Sequence, residues 1–281
     1  MHEVGRVDAN WEGIAFVDGQ IGLLGEARIP VTDRGFLYGD GIFCSVRIES
    51  GKPRFWSLHL QRLARDAAAL GLILPDPKIL TEAVFAVARV LPPLGQARVS
   101  LTRKSPTSAL GSVGQEEARL VILGRPLQAA SPTLEAISWR AQRNSLLAPH
   151  KVVNYLDNIL ALQSAQRAGV DEMLWVDAVE GALEFATGAL FVRTKGGEAI
   201  MPKASAPILD SVGRRAIVVA LGASAPRQCM IDSAELAWAT EIVHCNAVHG
   251  PRAVVALDGR VLQPGPLLED LCAAFAASEA V

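Results

Sequence analysis

The sequence lacks the cysteine pairs that would build a metal cage or a disulfide framework. Its 281 residues hold four cysteines, Cys44, Cys229, Cys245 and Cys272. No two of them form a CxxC pair, so neither a zinc site nor a stapled secreted scaffold is indicated. Free or buried thiols in a reducing cytoplasm fit better. Charge of one sign is also missing. The formal net charge is −2 and no long like-charged run occurs, which excludes the basic footprint of a nucleic-acid binder. Apolar stretches are interrupted by charge well before the roughly 20 residues of a membrane-spanning helix. Met1–Gly13 has no apolar core of the signal-peptide kind, so none is expected. Repeats and low-complexity tracts are absent as well. These absences leave a cytoplasmic globular protein with a small-molecule partner, no nucleic acid and no membrane.

Half the residues are hydrophobic, enough for a large core in one big domain or two medium ones. The first part reads as short strands and turns. Ile14–Val17 and Gln20–Leu23 flank Asp18-Gly19, a hairpin signal. A strand over Ile42–Ile48 turns at Ser50-Gly51-Lys52 toward Arg54–Trp56. Ser57 is expected to cap a helix over Leu58–Leu70 that Gly71 ends. A second helix is predicted over Lys78–Val90, with strands at Arg98–Thr102 and Arg119–Leu123. Gly124–Pro132 reads as a linker between a small α/β domain over 1–123 and a larger domain over 133–281.

The larger domain opens with a strand at Leu134–Arg140 and a helix over about Tyr155–Ala168. Strands are expected at Glu172–Asp177, Ala182–Ala186, Ala189–Arg193 and Ala199–Met201. Asp210 or Ser211 caps a helix through Leu221. Strands near Leu236–Ala239 and Ala253–Leu257 precede the Asp258-Gly259 turn. So many short strands suggest a mixed α/β fold with a barrel-like sheet, rather than a parallel βαβ array.

Four segments carry chemistry: DRGFLYGDGIF (Asp33–Phe43) with the helix SLHLQRL (Ser57–Leu63), HKVVNYLDNILALQSAQRAGVDE (His150–Glu172), GALEFATGALFV (Gly181–Val192) and ILDSVGRR (Ile208–Arg215). The last opens a helix, and a helix start with its unpaired N–H groups is a ready anion site. Gly213 adds close approach by the main chain. In content, order and spacing the four segments resemble the class IV aminotransferase family, from about Phe16 to Leu268. That family includes branched-chain and D-amino-acid aminotransferases and 4-amino-4-deoxychorismate lyases.

The resemblance implies a two-domain, fold type IV enzyme that uses pyridoxal 5'-phosphate (PLP) and works as a homodimer. It places Lys151 as the lysine bound to the cofactor aldehyde, an amine that desolvation or nearby positive charge makes nucleophilic. Glu184 takes the pyridine nitrogen, and its apolar neighbours suit a buried, partnered acid. Arg62 holds the phosphate with its guanidinium fork, together with the backbone of Val212 and Gly213. Tyr155 reaches the phenolic oxygen. Two positions depart from the family pattern. Ala189 stands where the family usually has Asn, and Met201-Pro202 where it often has Thr-Pro.

The segment Cys245-Asn246-Ala247-Val248 and the run Phe43-Cys44-Ser45-Val46-Arg47 are similar to the lyases, while Thr102-Arg103-Lys104 is not. A 4-amino-4-deoxychorismate lyase is the leading expectation, with Ser45, Arg103 and Asn246 as substrate contacts. A D-amino-acid or branched-chain aminotransferase is the second. A PLP-binding protein without turnover is the third, and Ala189 is what points to it.

Overall fold

The computed structural model describes residues 13–104, 117–143 and 146–278. The chain divides into two compact units. One holds the residues up to Gln128 together with Lys151–Asn154, and the other holds Ala129–His150 and the residues from Tyr155 on.

The first unit runs β1 (Ile14–Val17), β2 (Gln20–Leu23), α1 (Arg34–Tyr38), β3 (Gly41–Glu49), β4 (Lys52–Pro53), α2 (Trp56–Leu70), α3 (Pro77–Val90), β5 (Leu94–Thr102) and β6 (Arg119–Pro126). Its strands form one antiparallel sheet in the order β2-β1-β6-β5-β3-β4. The hairpins at Asp18-Gly19 and Ser50-Gly51 place both turn residues at positive φ, the backbone that a two-residue turn between right-twisted strands needs. Ile42, Cys44, Val46 and Ile48 of β3 pack with Val99 and Leu101 of β5 and with Leu63, Leu80, Val84 and Val87 of the helices.

Three details differ from the sequence reading. Residues 34–38 form α1, because the Asp33 carboxylate accepts from the amides of Gly35 and Phe36. Ser57 does not cap α2; the helix starts two residues before the expected Leu58, at Trp56, behind Phe55 in the left-handed region. β6 also continues past Gly124 to Pro126. A Cβ at Gly124 would lie 2.9 Å from a Val87 methyl, so glycine here lets α3 close onto the sheet rather than ending the strand.

The second unit runs β7 (Thr133–Arg140), α4 (Leu156–Arg167), β8 (Glu172–Asp177), β9 (Gly181–Phe185), β10 (Ala189–Arg193), β11 (Ala199–Pro202), α5 (Val212–Leu221), β12 (Arg227–Cys229), α6 (Ser233–Ala237), β13 (Glu241–Asn246), β14 (Gly250–Leu257), β15 (Arg260–Val261) and α7 (Pro266–Ala277). The sheet order is β12-β11-β10-β13-β14-β7-β8-β9, and β9 also pairs with β10. That last pairing closes a ring of strands, so this sheet is barrel-like. Leu134, Leu174, Phe185, Leu190, Val192, Ile242 and Val254 fill one core. Ala161 and Ala165 of α4 pack with Met173, Trp175 and Leu183 in another.

The stretch expected as a strand near Leu236–Ala239 is α6 instead, started by a capping box between Asp232 and Glu235. The strand lies just beyond it, as β13. Its first residue, the buried Glu241, accepts from the amides of Leu267 and Leu268 and so caps α7. A carboxylate at a helix start satisfies orphan donors and opposes the dipole.

Candidate active site

In the first unit the chemistry gathers on β3, α2 and the segment Lys151–Asn154. His59, Arg62, Leu63, Asp66 and Ala67 are the buried face of α2, at the helical spacing of one stripe. The Lys151 carbonyl accepts from Phe43 N at 2.8 Å, and Gly41 O accepts from Val153 N at 2.8 Å. The Lys151 amide donates to Asp66 at 3.2 Å. Main-chain bonds therefore lay this segment along the start of β3. Lys151 Nζ stands 4.7 Å from the centroid of the Phe43 ring, and the Arg98 guanidinium 3.5 Å from it.

The surroundings of Lys151 are cationic, with His59, Arg62 and Cys44 buried close by. Burial holds the His59 imidazole well below its usual pKa, with Arg62 and Lys151 adding to the effect. Both His59 ring nitrogens are buried without a hydrogen-bond partner among the described residues. Burial pushes the Cys44 thiol up to about 11, against the pull of Arg62, Lys151 and Arg98.

Ser45 lies on β3 opposite Arg98 in the β5 register. Arg103 is buried. Its guanidinium meets Asp40 at 3.0 Å and the last carbonyls of α2, Gly71 O at 2.8 Å and Leu70 O at 2.7 Å. Those contacts commit the fork that was expected to face a substrate carboxylate, and they make Arg103 a cap of α2.

In the second unit Glu184 sits on β9, 6% exposed. One carboxylate oxygen accepts from Arg143 Nη1 at 2.6 Å and the other from Leu209 N at 3.0 Å. Arg143 also reaches Asn158 Oδ1 at 3.5 Å and lies over the Trp175 ring. The sequence reading missed Arg143, which stands in a polar loop after β7 with nothing to separate it from Arg140. Tyr155, just ahead of α4, donates to Ala186 O at 3.3 Å, and Asn158 donates to the same carbonyl at 3.0 Å.

Val212 and Gly213 open α5 behind its Ser211 cap, and as first-turn residues their amides have no intrahelical carbonyl. A Cβ on Gly213 would lie 2.9 Å from the Asn246 carbonyl carbon. Asn246 itself is committed locally. Its side chain donates to Thr187 O at 3.3 Å and accepts from the amides of Val248 and His249.

The pieces suit PLP by their chemistry. The first unit holds a buried arginine and an amine among cations. The second holds a buried carboxylate and a helix start that only glycine lets lie this close to β13.

A family model for class IV amino-transferases matches residues 41–257. The chain belongs to that family. It is therefore a PLP-dependent enzyme of the class IV aminotransferase and lyase group. A putative branched-chain-amino-acid aminotransferase of Methanocaldococcus jannaschii is 26% identical over 204 residues, 69% of either chain. The solved 4-amino-4-deoxychorismate lyase of Pseudomonas aeruginosa is 27% identical, with a TM-score of 0.80 over 94% of this chain and 98% of that one. A PLP-bound hypothetical aminotransferase of Mycobacterium tuberculosis shares the fold, with a TM-score of 0.83 at 21% identity over 95% of this chain and 98% of that one.

Proposed function

We propose that this family member is a 4-amino-4-deoxychorismate lyase. The observation that carries the reading is the lyase-like Cys245-Asn246-Ala247 segment, which ends β13 against the α5 start where Gly213 leaves room for it. A full-length likeness to the Pseudomonas aeruginosa lyase stands beside it.

When bound, the cofactor ring draws electrons from the substrate carbon that bears the amine, and that is the chemistry it supplies. Lys151 carries the cofactor and takes the proton from that carbon. Glu184, paired with the Arg143 guanidinium, would face the ring nitrogen. Arg62 and the amides of Val212 and Gly213 hold the phosphate, and the Tyr155 hydroxyl serves the phenolic oxygen. Loss of that proton would break the C–O bond to the neighbouring enolpyruvyl ether; the enolpyruvate released takes up a proton to become pyruvate, and the ring left behind is aromatic 4-aminobenzoate, a folate precursor. Ser45 faces the substrate in this scheme. Arg103 and Asn246 shape its surroundings through the main chain they hold. The enzyme would work as a homodimer in the cytoplasm.

One relative favours a second reading. The Methanocaldococcus protein, a putative aminotransferase, aligns over 69% of the chain. In that case Lys151 returns the proton to the cofactor side, and a keto acid is required to complete the cycle.

The deciding experiment supplies aminodeoxychorismate to the PLP-loaded protein with no keto acid present. Pyruvate and 4-aminobenzoate in equal amounts support the lyase. Turnover only when an amino donor and a keto acid are both present would replace it with the transaminase.

A further inference from the structure

Glu172, Thr187, His244 and Arg252 form a polar chain that the proposed chemistry does not use, running from the half-buried Arg252 through the buried His244 to the exposed Thr187 and the buried Glu172. Glu172 opens β8, Thr187 sits in the turn between β9 and β10, His244 lies on β13 and Arg252 on β14. His244 is 0% exposed and Glu172 3%. Arg252 Nη2 stands 3.5 Å from His244 Nδ1. The other ring nitrogen, Nε2, is 3.2 Å from Thr187 Oγ1 and 3.5 Å from Glu172 Oε2. The Thr187 hydroxyl also donates to that Glu172 oxygen.

Donor rules fix the direction of this chain. A guanidinium only donates, so Nδ1 accepts and the imidazole proton sits on Nε2. Nε2 then donates to the Thr187 oxygen, whose own proton goes to Glu172. Every bond points from Arg252 toward the carboxylate, an arrangement in which each donor strengthens the next.

What the chain grips is the turn that carries Glu184. The turn closes with Phe185 N donating to Gly188 O at 2.8 Å, and Ala189 pairs with Glu184. At Gly188 an added Cβ would lie 2.3 Å from His244 Nε2, so the imidazole fills the floor of the turn. Two residues further along β13, Asn246 holds Thr187 O and backs onto Gly213 at the start of α5. The end of β13 thus braces both the Glu184 turn and the α5 helix start. Ala189 has no amide side chain with which to do so.

We propose that His244, through Thr187 and Glu172, is a positioning residue that sets where the Glu184 carboxylate points. The inference rests on the reading of Glu184 as the partner of the ring nitrogen. Its geometric part can be measured without cofactor.

The experiment uses the full-length protein with 13C-labelled glutamate carboxyls, the Glu184 signal being assigned with Glu184→Gln. His244→Phe keeps the ring volume and removes both nitrogens. His244→Gln keeps an amide donor. In the apoprotein the Glu184 resonance is expected to move in H244F and to stay near wild type in H244Q. On adding PLP, the affinity of H244F should fall about tenfold, the loss of roughly one hydrogen bond to a charged group, with H244Q recovering most of it. The resonance of 15N-labelled cofactor ring nitrogen should shift with it. If H244F melts too early to use, Thr187→Val removes only the hydroxyl and must show the same pattern. A Glu184 resonance unchanged in the Phe and Val variants, at whatever melting temperature, would overturn the positioning role. A resonance that moves in a protein whose wild type binds no PLP would leave that role standing and overturn the functional reading instead.

Discussion

The charges around Phe43 in the first unit and the buried acids of the second are held by opposite means. Around Phe43 the first unit packs cations against an aromatic face and apolar strands, and main-chain bonds lay the Lys151 segment along β3. In the second unit each buried acid is tied at the side chain. Glu184 is held by Arg143 and Leu209, Glu172 by Thr187 and His244, and Glu241 by the first amides of α7. Removing an amine from the first arrangement takes away chemistry and leaves the fold. Removing a partner from the second strands a charge in the interior, and the fold itself suffers.

Lys151→Ala tests the first half of that contrast and carries the largest expected effect. The Lys151 N–H and carbonyl bonds survive the change, so the melting temperature should stay near wild type. Turnover should fall roughly 10²–10⁴-fold, the share a positioned proton-transfer group supplies. Borohydride should no longer fix the cofactor to the protein, as peptide mass mapping would show. A large loss of stability would mean that the amine also supports the fold, and the contrast would fail.

Arg143→Met tests the second half. It leaves Glu184, whose side chain is 7% exposed, without its guanidinium, and breaking a buried pair this way costs about 3–5 kcal/mol. Urea unfolding should show that loss. Adding Glu184→Gln should return most of it, because no stranded charge then remains. If the double variant is no more stable than Arg143→Met alone, the ion pair is not what the substitution broke.

How much of this was legible in the sequence follows from the range of each signal. Asp18-Gly19, Ser50-Gly51 and Asp258-Gly259 announce hairpins because two adjacent residues carry the whole requirement, and all three pairs sit at positive φ. Glu172–Asp177 and Ala189–Arg193 were readable from runs of apolar residues between turns. Leu236–Ala239 misled because its apolar residues mimic a strand, although Asp232 and Glu235 three residues apart already spell a capping box. The site was readable where four motifs share an order. Arg143 and His244 were not, because the partner of each lies on another element and only the fold supplies it.

Gly188→Ala probes the same unit by packing rather than charge. With 2.3 Å between the new Cβ and His244 Nε2, the turn or the imidazole must move, at the 1–3 kcal/mol typical of overpacking. His244→Ser in the same chain removes the clash, so the glycine-to-alanine cost should nearly vanish in that background. An equal cost in both backgrounds would mean that the turn's own backbone, and not His244, demands glycine.

Acid should reveal one neutral histidine in each unit. Burial lowers the pKa of both His59 and His244. Arg62 and Lys151 reinforce the shift at His59. At His244 Arg252 reinforces it and Glu172 opposes it. Their folded values lie below the unfolded value near 6.5, so the unfolded chain binds more protons once the pH drops past 6.5. Stability from these two groups is therefore full above that pH and is lost below it. The slope approaches about 1.4 kcal/mol per pH unit for each histidine. Because Glu172 opposes the shift at His244, His59→Phe should flatten the fall in urea midpoint between pH 6.5 and 5 more than His244→Phe. The reverse order would show that the second unit's network is the weaker host for a neutral ring.

The smallest effect, and the one that reads the first unit's dryness most directly, is at sulfur. Cys44 lies fully buried beside Arg62, Lys151 and Arg98, and the three cations on their own would favour a reactive thiolate. Desolvation outweighs them, and the thiol rises to about 11. Since the thiolate is the nucleophile, Cys44 should resist iodoacetamide at pH 8 in the folded protein. The exposed Cys272 should be carboxamidomethylated ahead of it, and urea should bring the two rates together. Labelling of Cys44 at a rate matching Cys272 without denaturant would mean that water reaches β3.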